Sequence, residues 1–300
     1  MIENKKNISF KLWDGNHDLK ILKIITIFLI ITASFITIKN EFAWQFGNHS
    51  FNEEKINEYQ ANEYIEEESC NVYGIELRGE LITYIPPYNF DEDGSPLEDQ
   101  TASENIVYWI TDADKDDNIK AILIEIDSYG GYPVAAEEVA EALKKAKKPT
   151  VVLIRESGVS AAYWAATGAD IIFASENSDI GGIGVTMSYV DNVRQNQSEG
   201  LTYNQISFGK FKDTGNPNKS LSNEEKELLA RDTEIIYNNF IKTVSENRKL
   251  DIEKVKKLAD GSSMLGQMAL EKGLIDKIGD LAETKEYLKE IIKEEVRICW

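Results

Sequence analysis

The sequence predicts an α/β protein built on a parallel sheet, and three observations carry that reading. Apolar runs of strand length at 119–126, 150–154 and 171–174 are nearly continuous, which is the pattern of strands covered on both faces. Helical stretches over 103–115 and 133–147 precede the first and second of these runs, so strand and helix alternate, and crossovers between parallel strands are right-handed. Breaks fall where such a chain needs them: Gly130-Gly131 after a strand, Pro133 at a helix start and Pro149 after its end.

Taken in order, residues 1–18 read as a short tail. The run from Ile24 to Ile38 is 15 residues without a charge. Extending it back to Leu19 lets Lys20 and Lys23 snorkel to the headgroups and supplies the ~20 residues that a bilayer core requires. Lys5, Lys6, Lys11, Lys20 and Lys23 lie before or within its start, whereas glutamates from Glu41 to Glu68 follow it. That asymmetry predicts a transmembrane signal anchor over 19–38, with the N-terminus cytoplasmic and the body outside. Its long basic lead-in and the lack of a small-x-small site favour a retained anchor over a cleaved secretory signal. Trp44 and Phe46 suit the interface. Residues 39–69, polar and acidic without apolar periodicity, read as a stalk, and the folded body spans 70–300.

Within the body, 72–79 reads as the first strand and 84–101, rich in Pro, Asp and Glu, as an exposed loop. Asp91-Glu92-Asp93-Gly94 lacks the further ligand spacing of a calcium loop and reads as solvated. After the strand at 150–154 comes the small-residue turn Gly158-Val159-Ser160-Ala161-Ala162, then a short helix to Thr167 and the strand at 171–174. A strand is expected over 203–208. The loop Gly209-Lys210-Phe211-Lys212-Asp213 follows, and Ser222 caps a long helix running to about Leu250. The rest reads as helical except for a strand-like stretch at 274–278.

A net charge of −19 argues against nucleic acid as a partner, since phosphate binding needs clustered Lys and Arg. The two cysteines, Cys70 and Cys299, build neither a disulfide framework nor a metal site. They are expected to remain separate thiols, with pairing as the less favoured alternative. No metal or cofactor is expected.

From Phe51 to Trp300 there is no histidine. A serine nucleophile needs a neighbouring base, so Ser160 directs attention to lysine rather than to a Ser-His-Asp arrangement. A lysine base near neutral pH must have its amine lowered from ~10.4 to about 7, an environment difference on the order of 4 kcal/mol that burial has to supply. Lys212 is the candidate, and Asp213 should then point away from it. Gly130 and Gly131, between a buried strand and a helix start, place backbone N–H groups where a developing negative charge is stabilised. The alternatives are a plain turn for the glycines and a helix N-cap for Ser160.

Together these segments resemble the signal peptide peptidase A, or protease IV, family of membrane serine peptidases with a Ser-Lys dyad. The family's Asn-Ser-Pro-Gly-Gly segment is similar to Asp127-Ser128-Tyr129-Gly130-Gly131, its Ser-Gly-Gly-Tyr turn to Ser160-Ala161-Ala162-Tyr163, and its lysine loop to 209–213. The resemblance spans about 72–281. It implies Ser160 as nucleophile, Lys212 as general base and the N–H groups of Gly130 and Gly131 as the oxyanion hole. It also implies a ClpP/crotonase-like fold, a stacked parallel sheet with flanking helices. Where the family has Thr-Gly-Ser-Ile-Gly, this chain has Ile180-Gly181-Gly182-Ile183-Gly184, so Gly182 offers no hydroxyl to orient the lysine. Water, Ser178 or Thr186 are the candidates to replace it.

The expected function is a membrane-anchored serine endopeptidase that degrades cleaved signal peptides or similar extended apolar peptides through an acyl-enzyme. By resemblance it is a homo-oligomeric ring whose dyads form within or between chains, in a bacterial inner membrane with the catalytic body on the periplasmic or extracellular side. A non-catalytic ring scaffold holding membrane-protein segments is the alternative. An acyl-CoA hydratase on the related fold shares the glycines but explains neither the anchor nor the lysine loop.

Overall fold

The computed structural model describes residues 70–86 and 99–300. The expected tail, transmembrane anchor and stalk (1–69), and most of the loop read over 84–101, lie outside the described residues. No helix among the described residues is long and apolar enough to cross a membrane.

Nine strands of the described residues form one sheet, and every pair in it is parallel except one. Strand β1 (Val72–Ile82) is flanked by β2 (Gln100–Ala102), which leads into helix α1 (Ser103–Ala113), and by β3 (Ala121–Gly131). Helix α2 (Pro133–Lys145) connects β3 to β4 (Thr150–Val159), and α3 (Ala161–Ala166) connects β4 to β5 (Ile171–Ala174). Beyond these come β6 (Asp179–Gly181), α4 (Val193–Ser198), α5 (Asn223–Arg248), α6 (Ile252–Leu258), β7 (Ser263–Leu265), α7 (Gly266–Lys272), β8 (Lys277–Ile278), α8 (Leu281–Ile292) and β9 (Ile298–Cys299). The main path runs β2-β1-β3-β4-β5-β8. Short β6 extends the far end of β4 and pairs antiparallel with β7.

Alternation along the central strands divides the core into two faces. Ile122, Ile124 and Ile126 of β3, with Val152 and Ile154 of β4, pack with residues of α1, α2, α3 and α5. Ala121, Leu123, Val151, Leu153 and Phe173 belong to a second cluster that includes Leu288 of α8. Cover on both faces is why these strands read as unbroken apolar runs.

Three differences from the sequence reading bear on the site. First, β3 and β4 run past their apolar stretches. The polar end of β3 stays in the sheet because Ser128, almost fully buried, donates its hydroxyl to the Gly79 carbonyl at 2.5 Å, and because Gly130 and Gly131 pair with Glu80 and Leu81. Residues 157–159 of β4 are held by pairing with β6. Second, no strand forms over 203–208. Ile206 and Phe208 are 94% and 96% exposed, and the segment pairs with no strand among the described residues. Third, Cys70 and Cys299 form a disulfide, with a Cα–Cα distance of 5.7 Å. Pairing of β9 with β1 brings the two ends of the body together, and Asn71 fastens the approach: its Nδ2 donates to the Glu295 carbonyl at 2.9 Å while its Oδ1 accepts from Arg297 N–H at 2.9 Å.

Candidate active site

Ser160 occupies the sharp turn between β4 and α3, with φ +54° and ψ −127°. A non-glycine residue at positive φ is strained and persists only where its surroundings hold it. Here its N–H donates to the Gly181 carbonyl at 2.7 Å, and its own carbonyl accepts from Trp164 N–H at 2.9 Å. Ser160 thus stands at the N-cap position of α3, but its side chain makes no capping hydrogen bond to the helix. The helix behind it is a buried wedge. Tyr163 donates its hydroxyl to the Leu274 carbonyl at 2.8 Å, with burial pushing the phenol above its usual range, and Trp164 stacks on Phe240 at 4.7 Å between ring centroids.

The β3 glycines meet this turn. A Cβ at Gly130, where φ is +116°, would stand 2.8 Å from Ser160 Cβ and 3.1 Å from the Ala161 nitrogen. Gly130 is therefore where one backbone must pass close to the serine. At Gly131 a Cβ would stand 2.0 Å from the Leu81 carbonyl oxygen, so that position answers to sheet pairing.

Ser160, Gly131 and Ala161 border one cavity of about 740 Å³, with apolar walls from Val159, Trp164, Val185, Met187, Ile236 and Phe240. The cavity lies at the carboxyl ends of β3 and β4, where α/β sheets place their ligands. The expected oxyanion pair divides here. Gly131 lines the cavity, whereas the Gly130 N–H already donates to Ser128 Oγ at 3.1 Å. Ala161, which the sequence reading passed over, supplies a first-turn helix N–H beside Gly130. The signal for it was present, since the first N–H groups of a helix have no partner within the helix.

Lys212 is not brought to this cavity within one chain. It is exposed, and it is not among the residues bordering the cavity. Its N–H donates to the Gly209 carbonyl at 3.1 Å in a turn-rich loop. Asp213 is engaged elsewhere, accepting from the Tyr203 hydroxyl at 2.9 Å and from Asn216 Nδ2 at 3.0 Å. Lys210 pairs with Glu224 at 2.6 Å.

Of the side chains considered in place of a hydroxyl at Gly182, Ser178 is committed: its Oγ donates to the Arg155 carbonyl and accepts from Ser175 N–H. Thr186 borders the cavity and sits 3.4 Å from Ser188 Oγ, exposed. Gly182 has φ +57°, and a Cβ there would meet Val159 Cβ at 3.1 Å, so a side chain at this position would press on the serine turn.

The profile described as Peptidase family S49 matches residues 142–295, just over half of the chain. A putative protease of Methanocaldococcus jannaschii is 34% identical over 184 residues, covering 61% of this chain and 59% of that relative. A putative signal peptide peptidase SppA of Enterococcus faecium is 30% identical over 194 residues, covering 64% of this chain and 56% of that relative. The chain thus spans less than two thirds of the length of these curated relatives. Among solved structures, a ClpP1 variant from Listeria monocytogenes aligns with a TM-score of 0.47 and 14% identity, over 70% of this chain and 92% of that one.

Proposed function

The chain belongs to peptidase family S49, and from that premise we propose a membrane-anchored serine endopeptidase in which Ser160 attacks the peptide carbonyl and Lys212 of a neighbouring chain serves as its base. The observation that carries this reading is the serine turn itself. A strained serine faces the carboxyl-end cavity with no hydrogen-bond partner for its hydroxyl among the described residues, while the lysine stands in solvent. A second copy supplies both the base and the burial that a lysine base needs. The region that carries Lys212 supports such an association, because Val190, Ile206 and Phe208 are each more than four-fifths exposed.

In this mechanism Ser160 Oγ bonds to the scissile carbonyl carbon as its proton passes to Lys212 Nζ. The N–H groups of Gly131 and Ala161 hold the oxyanion, and Gly130 provides the close approach. Collapse of the intermediate expels the leaving amine, which takes the proton from Lys212. Water then attacks the acyl carbonyl carbon as its proton passes to the Lys212 amine, and Lys212 returns that proton to Ser160 Oγ as the ester bond breaks. Apolar walls suit extended apolar peptides, of which cleaved signal peptides are the proposed example. The Cys70–Cys299 bond supports a body outside the cytoplasm, since such bonds persist in oxidising compartments.

Labelling with a serine-directed fluorophosphonate tests the assignment. An adduct at Ser160 in the assembled wild-type protein, lost in Ser160→Ala together with peptide cleavage, is the expected result. Absence of any adduct in the folded assembly would favour the non-catalytic scaffold, a reading motivated by the missing hydroxyl at Gly182.

A further inference from the structure

The cavity beside Ser160 is apolar on most of its surface, yet one side chain that borders it carries a full charge, Asp260. The backbone on both sides of this residue is tied to the cavity wall. The Ala259 carbonyl accepts from the Tyr237 hydroxyl at 2.6 Å, and Gly261 N–H donates to the Ile183 carbonyl at 3.1 Å. Gly184 lets the turn lie close, since a Cβ there would stand 2.9 Å from Gly261 Cα. One carboxylate oxygen, Oδ1, accepts from Ser262 N–H at 2.9 Å and from Ser262 Oγ at 2.6 Å. No other described residue donates a hydrogen bond or presents a cation to the second oxygen, Oδ2. The bonds from Ser262 hold the carboxyl below its usual range, so it is anionic at neutral pH.

An extended peptide that were apolar throughout would gain nothing from a fixed anion at this wall. A lysine or arginine would gain twice, because its aliphatic stem lies along Tyr237 and Phe240 while its cationic head meets the free oxygen. We propose that Asp260 is a specificity residue of the Ser160 cavity that accepts a basic side chain of the peptide substrate. This deepens the peptidase reading and rests on it. The preferred substrate class is then a peptide in which an apolar stretch is interrupted or bordered by a lysine or arginine. Because Asp260 is exposed to water, the preference is modest, about five-fold.

The test uses the full-length protein in detergent and a set of fluorescent apolar peptides, each carrying one lysine at a different position and each matched by a norleucine counterpart. Binding is read by anisotropy on Ser160→Ala protein, where no turnover intervenes, and kcat and KM are read on unmodified protein. At one lysine position, binding about five-fold tighter and a correspondingly lower KM are expected. Asp260→Asn, which keeps an acceptor for Ser262, should remove that preference, and Asp260→Glu should retain part of it. Equal affinities throughout every matched pair, no binding of any peptide, or a lysine preference that survives Asp260→Asn would each overturn the proposal. So would an equal fall in kcat for both members of a pair with a shifted pH profile, which would make Asp260 a partner of the base. Should lysine-selective binding persist while unmodified protein cuts nothing, the nucleophile assignment fails and the role of Asp260 stands.

Discussion

At the scale of single residues, the two β3 glycines have separable duties, and substitution distinguishes them. Gly130→Ala pushes a methyl group to 2.8 Å from Ser160 Cβ at a backbone angle that side chains disfavour. The expected outcome is a protein that still folds but loses about 100-fold in kcat/KM, the cost of misplacing the attacking atom by roughly an ångström. Gly131→Ala instead drives its Cβ to 2.0 Å from the Leu81 carbonyl oxygen and forces β1 and β3 apart. Its penalty, on the order of 3 kcal/mol, should appear in thermal melts, which Gly130→Ala changes less, and the displaced Gly131 N–H should lower kcat in the protein that remains folded. Much of this was legible beforehand. Ser160, Gly130 and Gly131 stand where strand ends meet helix starts, and those junctions are local features that short-range chemistry writes into the sequence. Ser128 was not legible, because its hydroxyl reaches the Gly79 carbonyl 49 positions away and in doing so takes up the Gly130 amide.

At the scale of elements, helix α5 begins with a capping box that also anchors the lysine loop. Ser222 N–H donates to Glu225 Oε2 at 2.9 Å and Glu225 N–H to Ser222 Oγ at 3.2 Å, while Lys219 and Thr214 both donate to Glu225 Oε1. The Lys219 ammonium, with help from Ser222, holds the Glu225 carboxyl at about 2, well below its ordinary value near 4.5. A carboxyl depressed in the folded state stabilises it above the ordinary value, and that contribution is lost as the pH falls toward 2. Wild-type protein should therefore melt above Glu225→Gln by a constant margin at pH 5 and higher, with the margin closing between about pH 4.5 and 2. A margin that does not vary with pH would contradict the assignment. The Ser222 cap was readable because it is local. The strand expected over 203–208 was a misreading for the opposite reason: alternating polarity implies a strand only when a sheet edge is available, and none among the described residues pairs with this segment.

At the scale of the whole molecule, the disulfide closes a loop of 229 residues around the body. In the chain-entropy account such a cross-link stabilises by about 5 kcal/mol, and native adjustment lowers the realised value. Reduction, or Cys70→Ser, should lower the melting temperature without abolishing labelling of Ser160, because β9 lies at the edge of β1 rather than beside the serine turn. Two cysteines 229 positions apart give no local sign of pairing, and only the closure of β9 on β1 joins them. The same limit applies to the base. Nothing in the spacing of Ser160 and Lys212 says which chain's lysine meets which chain's serine, and the single chain leaves that lysine exposed. Complementation decides it most directly. Ser160→Ala and Lys212→Ala, each inactive alone, are co-expressed and co-purified as mixed assemblies. A dyad formed between neighbouring copies predicts recovery of about one quarter of wild-type cleavage, since each site draws its serine from one chain and its lysine from the next. Mixed assemblies as inactive as either parent, beside an active wild-type assembly, would contradict it.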